Sequence, residues 1–160
     1  MKQTAKLLLG LLACIVLLAG CGTKQETFVC KDLSVQLPQG YMDLLEETDN
    51  ADADFLLGHN KVIIQGIAED KAALLKLDSG WTLDRYGRYI LQANGLSCLL
   101  EDKNGSYRFT YEAPVDGMTY TYTGVIWEGD AHYWVVQSYC PTEVFADKQQ
   151  EILKILDSIS

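Results

Sequence analysis

The residues best able to hold a metal or attack a bond are two histidines, His59 and His132, and five cysteines, Cys14, Cys21, Cys30, Cys98 and Cys140. A zinc site needs three or four ligands at firm spacing. His59 sits in a predicted turn without partners, and Glu128, Asp130 and His132 read as a solvated hairpin tip. The run Asp49-Asn50-Ala51-Asp52-Ala53-Asp54 has the oxygen density of a calcium loop. An EF-hand also needs glycine at its sixth position and glutamate at its twelfth. Counting from Asp49 these are Asp54 and Asn60, and counting from Asp52 they are Leu57 and Ile63, so the run reads as a solvated acidic loop. Cys98 and Cys140 have no histidine in a pattern that suggests a nucleophile, and acid pairs such as Glu101 and Asp102 are too common to signify. No Gly-x-Ser-x-Gly elbow, phosphate loop or dinucleotide fingerprint occurs. These residues therefore predict no metal, no cofactor and no enzyme.

Cys21 points to a different chemistry. Lys2 and Lys6 open the chain without an acid, and residues 7–19 are almost wholly apolar. A membrane-spanning helix needs about 20 such residues, whereas a basic start, a short apolar run and small residues at its end describe a secretory signal peptide. The exit sequence Leu18-Ala19-Gly20-Cys21 resembles the lipobox of bacterial lipoproteins. That resemblance implies a diacylglycerol on the Cys21 sulfur, cleavage just before it, and an exported protein anchored at the outer face of a cell membrane. Two acyl chains give stable anchoring where one does not. The chain thus divides into a signal peptide at 1–20, a lipidated tether at 21–27 and one globular domain at 28–160.

Cleavage removes two lysines, leaving 11 basic residues against 22 acidic ones, a net charge near −11. That sign opposes nucleic acid and anionic lipid. The remaining length is enough for a single self-sufficient core.

Any site must be positioned by the elements that follow. Residues 28–37 alternate loosely before Pro38-Gln39-Gly40, as one strand or two joined at Lys31-Asp32. Residues 42–54 read as helix turn and loop. Residues 55–57 and 61–68 form a hairpin around Gly58-His59-Asn60, and residues 70–77 favour helix. Thr82 is an N-cap for a helix to about Asn94 with Gly95 beyond it, and Leu83, Tyr86 and Ile90 share one face. Three hairpin-linked strands come next. Residues 97–103 and 106–113 flank Asn104-Gly105, the strongest short hairpin signal. Residues 114–117 turn into 118–127, and residues 128–131 turn into 132–140. Thr142 caps a last helix striped by Phe145, Ile152, Ile155, Leu156 and Ile159.

Strand register assigns the faces. Tyr107, Phe109, Tyr111, Tyr120, Tyr122, Tyr133, Val135 and Tyr139 share one with Cys98 and Leu100. Thr119, Thr121, Thr123, Val125, Trp127, His132, Trp134, Val136, Ser138 and Cys140 take the other. The tyrosine slab is the largest apolar surface available, so helices are expected to pack on it, with the phenol oxygens at its rim. Left open, it would be a stacking platform for a ligand, with Tyr107, Tyr111, Tyr120 and Tyr122 as its residues.

Leu37-Pro38-Gln39-Gly40, Asn94-Gly95-Leu96, the closing strand Tyr133-Trp134-Val135-Val136-Gln137 with Cys140-Pro141, and the final Ile155-Leu156-Asp157-Ser158-Ile159 together resemble the PsbP-like family. That family includes photosystem II extrinsic proteins, Ran-binding nuclear transport factors and small bacterial lipoproteins. The resemblance implies an α+β fold, an antiparallel β-sheet with helices packed on its faces in an α/β/α sandwich. It implies no activity, since a shared fold does not carry function. A non-enzymatic envelope lipoprotein that binds a protein or assists an assembly is expected, the alternative being a small-ligand binder using the tyrosine face. The expected partners are the membrane, through Cys21, and an envelope protein.

Of the mature cysteines, Cys98 and Cys140 fall on opposite faces and should not be bonded. Cys30 and Cys140 both lie at strand ends, so a bond, if one forms, joins these two and leaves Cys98 a free thiol.

Overall fold

The computed structural model describes residues 24–47 and 52–160. Cys21, and with it the lipid site, and residues 48–51 of the acidic run lie outside the described residues. Two strands come first among the described residues, β1 (Gln25–Cys30) and β2 (Leu33–Pro38), joined at Lys31-Asp32. β1 begins inside the stretch read as tether. A large sheet follows from β3 (Met42–Asp43), β4 (Phe55–His59), β5 (Val62–Asp70), β6 (Glu101–Lys103), β7 (Ser106–Val115), β8 (Met118–Glu128) and β9 (His132–Pro141). Its seven strands run in the order β3-β4-β5-β9-β8-β7-β6, and every neighbouring pair is antiparallel. The helices are α1 (Lys71–Leu77), α2 (Leu83–Ala93) and α3 (Thr142–Leu156). The α+β fold, with an antiparallel sheet and helices on its faces, is as the sequence predicts.

Local chemistry explains most boundaries. Asp70 caps α1 by accepting from the Ala73 amide at 3.0 Å, and Thr82 caps α2 from the Arg85 amide at 3.3 Å. Gly95 stands at φ +65°, and the Leu96 amide reaches back to the Leu91 carbonyl at 2.8 Å, the left-handed stop expected of a glycine after a helix. Asn104 and Gly105 both have positive φ, as a tight primed hairpin requires.

The departures are instructive. Residues 97–100 are not strand, so Leu100 does not pair with Phe109. Leu96, Cys98 and Leu100 instead pack into the core beneath α2, where a Cβ on Gly87 would come 2.8 Å from Leu100. Pro114 and Val115 belong to β7, and the turn is only Asp116-Gly117. Thr142 does not cap α3; Pro141 holds that position without a side-chain bond, and the Thr142 hydroxyl pairs with that of Thr121 at 2.9 Å.

Two clusters fill the sandwich. On one face α3 and the β1–β2 hairpin bury Leu33, Val35, Leu37, Ile152, Ile155 and Leu156 against Val62, Ile64, Val125, Trp134 and Val136. On the other face α2 buries Leu83, Tyr86 and Leu91 against Phe109, Ile126, Tyr133 and Val135. The last residues complete the first layer: Ser34 and Ser160 exchange backbone bonds at 2.7 and 3.1 Å, which closes the outer edge of β2.

Candidate functional site

Helix length decides what the second face leaves open. β7, β8 and β9 are 10, 11 and 10 residues long, or about 33 to 37 Å at the usual rise. α2, with 11 residues, spans about 16 Å, and α1, with 7, about 10 Å. They cover the half of the face holding Tyr133, Val135, Ile126 and Phe109. Tyr120, Tyr122 and Tyr139 belong to neither core cluster, and Tyr111 only borders one.

These four rings form a ladder across three strands. Tyr111 stands opposite Tyr122, and Tyr122 opposite Tyr139. The Tyr111 and Tyr122 rings stack at 4.8 Å and 4°, Tyr122 and Tyr139 at 4.8 Å and 27°, and Tyr120 meets Tyr139 edge-on at 6.3 Å. Cross-strand aromatic pairs of this kind each contribute a few tenths to about 1 kcal/mol to the sheet. The Tyr111 hydroxyl donates to Gln137 Oε1 at 3.2 Å. Burial, then the neighbouring Tyr122, Cys98 and Tyr139, pushes the Tyr111 phenol up to about 12. Burial and adjacent phenols also raise Tyr122 and Tyr139. All four rings are half-buried. The expectation that helices cover the slab therefore holds for its Tyr133 half and fails for its Tyr111–Tyr122–Tyr139 half. Of the residues read as a ligand face, Tyr111, Tyr120 and Tyr122 come together, while Tyr107 packs against the core under α2. Tyr139 completes the ladder.

The ladder is a surface strip, and Tyr120 at its end lines a cleft of about 530 Å³ with Met42, Lys61 and Met118. The adjoining edge of the sheet is blunted. β6 pairs with Ser106–Arg108, and beyond Arg108 no strand of the described residues pairs with the outer edge of β7. The two-residue turn sets the phase in which Thr110, Glu112 and Pro114 direct their backbone groups outward. A charge and a residue without an N–H at those positions oppose strand addition.

The other predicted residues are structural. Glu128, Asp130 and His132 do not form a solvated tip as a group. Lys71 pairs with Glu128 at 2.7 Å, and His132 Nδ1 lies 2.9 Å from Asp32 Oδ1. Sequence reasoning missed Asp32. Its carboxylate accepts from the Ala131 amide at 2.7 Å, the His132 amide at 3.1 Å and the Trp134 indole at 2.9 Å, as well as facing the imidazole. Burial opposes its charge, but these donors outweigh burial and hold it well below the usual carboxylate range. Asp54, read as part of the solvated acidic loop, instead accepts from Lys31 and, at 2.7 Å, from the Ala68 amide.

Cys30, Cys98 and Cys140 are all free thiols. The Cys30–Cys140 pairing is not made, because the hairpin reaches the wrong end of β9. Cys30 Sγ lies 3.9 Å from the Asp54 carbonyl, and the Asp54 side chain holds Ala68, which pairs with Trp134. Cys140 is six residues farther along β9, about 20 Å away. The separation of Cys98 and Cys140 onto opposite faces is as expected: one joins the α2 cluster and the other the α3 cluster.

Among the described residues no group of three or more His, Cys, Asp or Glu could hold a metal, and no helix is long and apolar enough to cross a membrane.

No family model and no curated protein matches the chain. Solved structures do. The cyanobacterial PsbP (CyanoP) of Synechocystis superposes with a TM-score of 0.61 over 88% of this chain and 95% of its own, at 10% identity. The fold is PsbP-like. A protein of Bacteroides thetaiotaomicron matches the same fold with a TM-score of 0.57 over 87% of this chain and 48% of its own, at 12% identity. At these identities the likeness establishes the PsbP-like fold alone.

Proposed function

We propose that the protein is a non-enzymatic lipoprotein of the bacterial cell envelope, anchored at the outer face of a membrane by lipid on Cys21, and that it serves as a protein-binding or assembly-accessory module. The tyrosine ladder is its contact surface. One observation carries this reading: Tyr111, Tyr122 and Tyr139 lie stacked, with Tyr120 edge-on at their end, on the part of the sheet face beyond the α2 core cluster. Tyrosine is enriched at interfaces because a large, stiff ring buries area at low entropic cost while its hydroxyl remains satisfied by water or a partner. A strip without an enclosing pocket suits a macromolecule better than a small ligand, which normally buries most of its surface in a concave site.

The test is a photo-crosslinking side chain in place of the half-buried Tyr122, with the exposed Leu77 of α1 as the control position. The expected result is a discrete adduct with an envelope protein at position 122 and none at 77. No adduct at any ladder position would remove the contact surface, and an adduct with a small molecule would favour ligand binding.

A further inference from the structure

The end of the sandwich nearest the proposed lipid carries an unusual set of exposed residues. Lys24 leads into β1, and its carbonyl accepts from the Gln39 amide at 3.1 Å. Gly40 packs on the His59 ring, Tyr41 meets the same ring at 5.4 Å, and Met42 pairs with Gly58. His59 lines two clefts. One, of about 550 Å³, includes Lys24, Gln25 and Gln39, and the other, of about 530 Å³, includes Met42, Lys61, Met118 and Tyr120. The start of the described chain, the β4–β5 turn and the β7–β8 turn therefore gather at one pole. There Met42 is 66% exposed, Met118 52% and Val115 43%. They account for three of the eight large exposed hydrophobic residues among the described residues, although they come from three separate strands.

From these features we infer that this pole is a membrane-contact surface, with Met42, Met118 and Val115 seated at the lipid headgroup boundary. The inference rests on the lipid anchor proposed above. Cys21 and Lys24 are three residues apart, and three residues extend no more than about 11 Å. The headgroup region on each side of a bilayer is itself about 5 to 8 Å deep. An anchor that short holds the Lys24 pole against the headgroups, where an exposed methionine or valine gains by leaving water. The pole bears both signs of charge, Lys24 and Lys61 against Asp43, Asp116 and Glu143. Apolar burial, not charge, is therefore the attraction, and the contact suits zwitterionic lipid. The opposite pole, around Asp32, Glu128 and Asp130, also exposes Val29, but it lies the length of β1 away from Lys24 and the tether.

The sequence supplies its own reporters. Of three methionines, Met1 leaves with the signal peptide, so Met42 and Met118 are the methionines of the mature chain. The lipidated protein, purified from membranes with methyl-labelled methionine, is placed in phosphatidylcholine nanodiscs containing lipid spin-labelled near the headgroup. Both methyl signals are expected to lose most of their intensity. In a Val29→Met variant the added reporter is expected to keep its intensity, because Val29 is equally exposed but lies at the far end of β1. Intact mass is recorded on the same sample. A diacylated Cys21 with unbroadened Met42 and Met118 signals would overturn the contact surface while leaving the anchor standing. A mass without lipid would overturn both. Broadening of the Val29→Met reporter as strong as that of Met42 would show tumbling on the tether, and would likewise overturn a fixed contact.

Discussion

Asp32→Ala should be among the most destabilising single substitutions in this fold. The carboxylate sits in the β1–β2 turn and ties that hairpin to the start of β9 through four donors: two backbone amides, one imidazole nitrogen and one indole. A hydrogen bond to a charged group contributes about 1.5 to 3 kcal/mol, and a buried donor left unsatisfied costs about 1 to 3. The four share one acceptor and do not add, but the Trp134 indole is fully buried and would be orphaned. A loss of about 3 kcal/mol follows, a large share of the 5 to 15 that holds a typical domain together. Urea unfolding of the mature domain, followed by tryptophan fluorescence, should show a midpoint about 1.5 M lower for a slope near 2 kcal/mol/M. Asp32→Asn keeps the shape and one acceptor oxygen, so it should lose about half as much. The pH dependence has a fixed sign. The folded carboxyl lies below its unfolded value of 3.8, so its contribution is full above that value and is lost as pH falls through the folded pKa. The gap between wild type and Asp32→Ala should therefore be constant near neutrality and shrink in acid. A loss under about 1 kcal/mol at neutral pH, or a gap that widens in acid, would refute the reasoning.

Replacing Cys21 by alanine should release the protein from membranes, as fractionation and intact mass will show. Peptide mapping without reduction should return Cys30, Cys98 and Cys140 as unpaired thiols. Gly124→Ala should cost about 1 to 3 kcal/mol by overpacking, because the new Cβ would overlap the Phe109 ring; thermal unfolding measures it. In a Tyr-to-Phe series read by ultraviolet titration, removing Tyr111 should delete a phenol that ionises near pH 12, well above a free tyrosine.

The elements were legible where one local cause sufficed. Asn104-Gly105 set the β6–β7 register, because a two-residue primed turn leaves no freedom of phase, and the turns at Asp116-Gly117 and around Gly129-Asp130 carry that phase on to β8 and β9. Both faces of the meander follow from it. Thr82 and Gly95 bounded α2 for equally local reasons. What stayed hidden required distant partners. Asp32 looks like any turn aspartate, and its function as a latch depends on Ala131, His132 and Trp134, a hundred residues away. The placement of Cys30 failed on the same point, since nothing local says which end of β9 the hairpin meets. The open half of the tyrosine face was a question of length. α1 and α2 could be counted, but their position along the strands depends on how residues 96–100 tuck beneath α2.

The two poles of the sandwich separate stability from interaction. The Asp32 latch, the Lys71–Glu128 pair and the Lys31–Asp54 pair all lie toward the start of β9. The exposed methionines and the Tyr120 end of the ladder lie toward its finish. Tyr120 belongs to both the ladder and the cleft holding Met42 and Met118. A partner seated on the ladder would then be held at the level of the membrane surface. Substitutions at the two ends should consequently fail in different ways. Loss of Asp32 should weaken the fold without altering the proposed lipid-facing surface. Changes at Met42 or Met118, whose side chains are mostly solvent-exposed, remove apolar contact at little cost in stability, as surface substitutions generally do.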